Sequence, residues 1–269
     1  MSLLLVLFAL LAGPGTAGRP ADVANSVPLP TPRPAAVAPP SPLDGLPDDP
    51  FAGLDLAEIT SAPTPCDQRL AAMADIRLLP RLIGPGACGG HDLVLINTIL
   101  LPDQTRIAVK PKPMLNCPMA ESLAAWVRDA VVPALAKKNM RLRSIQNYDS
   151  YECRTRNRIP GAKVSEHAHG DAIDVRSFTL ADGRRLMLTD PTVNKNLRVA
   201  LRDSACRRFP TVLGPGEAYH SGHVHLDALI RRAGYRICEW EVRVPAPKPA
   251  VPLPRPRPAE AAAGAARPG

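Results

Sequence analysis

Aromatic residues are scarce in this chain: only 4% of its 269 residues are Phe, Trp or Tyr. Its core must therefore rest on Leu, Ile, Val and Ala. The basic and aromatic interleaving that stacks single-stranded nucleic acid is missing. No helix-turn-helix or zinc-finger pattern occurs, so no nucleic-acid partner is expected. No C-x-x-C pair occurs, which counts against a thiolate metal knuckle. The one long apolar run, Leu3 to Leu11, is too short to cross a bilayer, so no transmembrane segment is expected. No internal repeat is apparent.

Proline, by contrast, is abundant, with 32 residues, and it clusters. Residues 19–63 and 245–269 are Pro/Ala-rich. Such segments bury too little apolar surface to offset chain ordering and are expected to be disordered, favouring polyproline II. Residues 1–18, MSLLLVLFALLAGPGTAG, resemble a secretory signal peptide with small residues at Thr16, Ala17 and Gly18, although no Lys or Arg precedes the apolar run. Between the proline-rich segments lies one domain, 64–244, of a length that suits a single core.

All six cysteines fall inside that domain: Cys66, Cys88, Cys117, Cys153, Cys206 and Cys238. An even count in an exported chain implies three disulfides and an oxidising compartment, secreted or periplasmic. Of fifteen possible pairings, sequence proximity selects Cys66–Cys88, Cys117–Cys153 and Cys206–Cys238. Six reduced thiols in a cytosolic protein are the alternative. The net charge of +8 would draw the protein to anionic surfaces such as a cell-wall polymer.

Within the domain, the spacing predicts a helix over 117–138, capped by Asn116, with Pro118 in its first turn and a kink at Pro133. Residues 141–145 alternate as a strand. Residues 172–180 read as a strand that turns at Asp182-Gly183 into 184–188. A second helix is expected over 194–206, and another strand over 223–229. The expected class is α+β: a single domain with a small antiparallel sheet that carries a zinc site, flanked by helices.

The zinc expectation comes from histidine. Five of the six histidines fall in Ser165-Glu166-His167-Ala168-His169-Gly170-Asp171-Ala172-Ile173-Asp174 and His220-Ser221-Gly222-His223-Val224-His225-Leu226-Asp227. Strand alternation puts His223, His225 and Asp227 on one face and Val224 and Leu226 on the other. Gly170 permits a bend that returns His167 beside the strand carrying Asp174. His167, Asp174 and one histidine of the second cluster would supply N, O and N ligands. Three protein ligands plus an open position is the layout of a catalytic zinc site.

The S-x-H-x-x-G-x-A-x-D run from Ser165 to Asp174 resembles the signature of zinc D-Ala-D-Ala carboxypeptidases and related murein endopeptidases. The stretches Tyr151–Arg154, Ser165–Ala168, Leu213–Gly216 and His223–Asp227 more closely resemble the bacterial extensin-like C-terminal domain family, over roughly Pro65 to Glu239. The resemblance implies that His167, Asp174 and His225 bind Zn2+, that His223 is a general base or transition-state stabiliser, and that Arg154 polarises the scissile carbonyl. Ser165 would support the metal loop. The chain departs from the pattern at Asp171, where Asn is common, and at Val224, where Phe is. A second register remains open, because Glu217-x-x-His220 resembles the Glu-x-x-His of another carboxypeptidase branch.

Together these features lead to the expectation of an exported, monomeric zinc metallopeptidase that hydrolyses amide bonds in peptidoglycan stem peptides or crosslinks, of D,D or L,D type. The alternative is a non-catalytic peptidoglycan-binding module of the same fold. A structural wall protein organised by its proline-rich tails is a third reading.

Overall fold

Thr64 opens the first helix, α1 (Pro65–Ala71), with a reciprocal cap. Its hydroxyl accepts from the Asp67 N–H, and the Asp67 carboxylate accepts from the Thr64 N–H at 2.8 Å. The computed structural model describes residues 62–244, all within one unit that spans Phe51–Gly269. The expected signal peptide, nearly all of the expected linker and the C-terminal tail lie outside the described residues.

Strands β1 (Ala74–Leu78), β2 (Leu82–Ile83), β3 (Gly89–Gly90), β4 (Leu93–Leu100), β5 (Arg106–Lys110) and β6 (Met114–Asn116) follow α1. Helices α2 (Cys117–Trp126) and α3 (Val132–Ala136) come next. Then come β7 (Leu142–Asp149), β8 (Ala172–Leu180), β9 (Arg185–Met187), α4 (Lys195–Arg208), β10 (Thr211–Leu213), β11 (Val224–Asp227) and β12 (Ile237–Glu239). Ten strands form one sheet in the order β1-β4-β5-β7-β8-β11-β10-β12, with β6 on β4 and β9 on β8. The domain is α+β, as expected. Its sheet extends well beyond the strands read from sequence and is mixed, since β5/β7 and β10/β12 are parallel.

The predicted helix over 117–138 begins as expected. The Asn116 side chain accepts from the Met119 N–H at 3.0 Å, and Pro118 occupies the first turn. The expected kink takes the form of a π turn, Val127–Val131, just before Pro133. Proline offers no N–H to the preceding turn, so a widened turn there costs little. Trp126, on the buried face of α2, meets Phe209 edge-on at 5.8 Å and Phe178 at 6.3 Å. Leu, Ile, Val and Ala supply most of the remaining core.

Two of the three expected disulfides are corrected. The bonds are Cys66–Cys117, Cys88–Cys153 and Cys206–Cys238. Helix α1 packs on α2, which brings Cys66 to the N-terminus of α2. The β2–β3 hairpin lies against the loop that follows β7, which brings Cys88 to Cys153. Sequence proximity holds only for Cys206–Cys238, where α4 runs back to β12.

Candidate metal centre

The antiparallel pairing of β8 with β11 sets His225 opposite Asp174. Val224, Leu226, Ile173 and Val175 are fully buried in the core, so alternation turns His225, Asp227 and Asp174 to the other face. His167 reaches the same point from a one-turn 3-10 helix, Glu166–His169, capped by Ser165 and closed by Gly170 at φ 70°. A side chain at Gly170 would meet Leu93 Cδ2 at 2.8 Å and the Asn116 nitrogen at 2.9 Å. Both the left-handed backbone and the close approach therefore require glycine. The Asn116 N–H donates to the Gly170 carbonyl at 2.9 Å, and its side chain donates to Asp171. The start of α2 is thus anchored to the bend.

The three expected ligands converge. His167 Nε2 is 3.2 Å from His225 Nδ1 and 3.3 Å from Asp174 Oδ1, and His225 Nδ1 is 3.0 Å from Asp174 Oδ1. Zinc bonds of about 2.0–2.1 Å at the tetrahedral angle would separate ligand atoms by about 3.3–3.4 Å. His167, Asp174 and His225 are also the group of three metal-capable residues that the described residues bring together.

Their outer partners decide which atoms face inward. His167 Nδ1 meets the Ser150 carbonyl, an acceptor, and therefore carries the proton. His225 Nε2 meets Asp227 Oδ2 at 3.1 Å and carries the proton for the same reason. In neutral rings the opposite nitrogens are then lone pairs. Two imidazole lone pairs and a carboxylate oxygen thus point at one spot, an arrangement that calls for a cation. Without one, a proton is the substitute. Burial works against charge on His225, but Asp174 and Asp227 outweigh it and raise its pKa to about 9. Burial likewise opposes ionisation of Asp174, yet hydrogen bonds with His167, His223 and His225 hold its carboxyl well below the usual range.

His223 and Arg154 stand beside this triangle. His223 Nε2 lies 3.2 Å from Asp174 Oδ2, and its ring stacks on Tyr148 with centroids 5.0 Å apart. Arg154 donates to Asp149 at 2.9 Å, Glu152 at 2.8 Å and Ser165 Oγ at 3.3 Å. Three of its five N–H groups are thereby taken. Ser165 also accepts from the His167 N–H, which is the supporting role expected of it.

His169 turns away toward the Gly89 carbonyl. Glu217 and His220 hydrogen-bond to each other, and the His220 ring lies 5.0 Å from His223 and 5.5 Å from His225. The pair lines the site outside the ligand triangle. Sequence reasoning missed Tyr148 and Asp149. They follow the strand read over 141–145, and only the folded sheet sets Asp149 opposite Asp174.

The ligand triangle, His223, Arg154, Tyr148, Asp149, Glu217 and His220 line one cavity of about 400 Å³, within the range of ligand sites. No curated protein and no solved structure is similar enough to this chain to count as a match. A family model does match: it is described as Extensin-like protein C-terminus and covers residues 64–239, which hold the whole ligand triangle and all three disulfides, so the chain belongs to that family.

Proposed function

We propose that the protein is an exported zinc-dependent peptidase acting on peptidoglycan stem peptides or their crosslinks. The observation that carries this proposal is the convergence of His167 Nε2, Asp174 Oδ1 and His225 Nδ1, with another imidazole, His223, against the same carboxylate. A zinc ion held there supplies Lewis acidity, polarising a carbonyl and acidifying water. His223, held against the same carboxylate, would take a proton from the attacking water and return it to the leaving amine. The free N–H groups of Arg154 stabilise charge that develops on the carbonyl oxygen. Three disulfides fit an oxidising compartment, and among the described residues no helix is long and apolar enough to cross a membrane. The net charge of +8 suits an anionic wall.

The test is to assay the purified full chain, after metal analysis, on crosslinked and uncrosslinked muropeptides beside His225→Ala and His223→Ala. Cleavage should require zinc and disappear in both variants, with zinc retained in His223→Ala. Stoichiometric zinc without cleavage of any muropeptide would instead identify a binding module.

A further inference from the structure

Four arginines line the cavity, and three are tied to carboxylates in or beside it. Arg154 pairs with Asp149 and Glu152, Arg156 with Glu166, and Arg158 with Glu152. Arg231, four positions beyond the end of β11, differs. No carboxylate among the described residues pairs with it, and its Nη1 is shielded from solvent without a hydrogen-bond partner.

The remaining acids of the cavity are already engaged. Asp174 faces three histidines. Asp227 accepts from His225 and from the Leu229 N–H. Glu217 accepts from His220 and from the Tyr219 N–H. The site therefore holds no anion to spare for Arg231. A shielded cationic N–H without an acceptor is unfavourable, and a planar guanidinium is shaped for a carboxylate, which it grips through two parallel hydrogen bonds.

We infer that Arg231 receives a carboxylate of the substrate, so that the cavity takes an anionic peptide whose charged group docks at Arg231 while an amide lies at the histidine triangle. Arg231 and the triangle line the same cavity, so one bound peptide could reach both. This inference rests on the peptidase proposal and deepens it by naming the charge that the substrate must carry. The carboxylate has three possible sources on a stem peptide. The terminal α-carboxylate would place the cut at the chain end, and a branch carboxylate, on γ-linked Glu or on diaminopimelate, would place it within the chain.

The test uses the full-length zinc-loaded protein, Arg231→Gln and Arg231→Lys, with zinc content as the check on folding. The probes are a stem tetrapeptide of Ala, γ-linked Glu, diaminopimelate and Ala in four forms: free, C-terminally amidated, amidated on the free α-carboxylate of Glu, and amidated on the diaminopimelate side-chain carboxylate. Binding is followed by calorimetry in a His223→Ala background, and cleavage with His223 intact. The free peptide should bind more tightly than one of the amides by about tenfold or more. Arg231→Gln should abolish that difference by weakening the free peptide alone, and Arg231→Lys should restore part of it. The amide that mimics Arg231→Gln identifies the carboxylate. Equal weakening of all four forms, unchanged binding of all four, or no binding of any would overturn the inference. Arg231-dependent discrimination without cleavage of these peptides or of crosslinked muropeptides would sink the peptidase proposal and leave the carboxylate site standing. Cleavage without such discrimination would do the reverse.

Discussion

Asp174 divides its two oxygens between a histidine pair and a single further histidine. Oδ1 faces His167 and His225, while Oδ2 lies 3.2 Å from His223 Nε2. One carboxylate thus couples the proposed ligands to the proposed base. Asp174→Asn keeps the shape but removes the charge and replaces one oxygen by an amide. Zinc affinity should fall by at least about 100-fold, since even loss of an outer partner costs 10–100-fold. Competition against a chromophoric chelator measures this, and undiminished affinity would remove Asp174 from the ligand set.

At the proposed centre, zinc would compete with a proton for His225. In the metal-free protein its pKa is about 9, so at pH 7 the ring is charged. Zinc uptake at pH 7 should release close to one proton from it, and this release should fade as the pH rises through 9. Calorimetric titrations in buffers of different ionisation enthalpy count that proton. The sign for metal-free stability follows. A raised pKa contributes stability that is fully present below the unfolded value of about 6.5 and is lost as pH rises through the folded value. The metal-free protein should therefore lose stability between those limits.

Tyr148 is more than half exposed, yet its ring stacks on His223, and the Arg176 guanidinium sits 5.2 Å from the ring centre. Such a contact is worth about 0.5–1.5 kcal/mol. Tyr148→Ala should free the His223 ring and lower kcat by several-fold to about tenfold, with zinc content unchanged. Tyr148→Phe should retain most of the activity. If Phe proves as damaging as Ala, the hydroxyl rather than the stack is what matters.

The disulfides should separate stability from site integrity. Cys88–Cys153 closes 65 residues and sits between Glu152 and Arg154, beside the cavity; Cys206–Cys238 closes 32 and joins α4 to β12. Chain entropy gives each up to about 4 kcal/mol. Replacing either pair by serines should lower the denaturation midpoint. Only the Cys88/Cys153 pair should also weaken zinc binding and turnover, which metal titration of the two variants can distinguish.

Local chemistry was legible in the sequence, and long-range pairing was not. Asn116 and Pro118 mark the start of α2 because capping acts within one turn. Residues 172–180 match β8 residue for residue, since Gly170 and the Asp182-Gly183 turn bound the strand. His167, Asp174 and His225 come together as the spacing of the two clusters implied. Strand β4, LVLINTIL, gave no period to read because it is covered on both faces. The parallel pairing of β5 with β7 joins segments separated by two helices. The Cys66–Cys117 bond depends on helix packing, and proximity along the chain says nothing about packing. The stack of Tyr148 on His223 depends on the neighbouring strands in the same way.

His225 faces Asp174 across two strands, with Val224 opposite Val175 and Leu226 opposite Ile173. A slip of one residue would put Val224 or Leu226 across from Asp174 and turn His225 into the apolar interior. The ligand triangle therefore exists in one strand alignment alone, between residues 51 positions apart. Ion capture at this triangle would act as a proofreading step in assembly. A misaligned chain has no triangle with which to keep the ion, and it forgoes the stability the ion confers. At the proposed location outside the cell, where no ATP-driven chaperone can reopen a faulty fold, such a chain would be the one left for proteolysis.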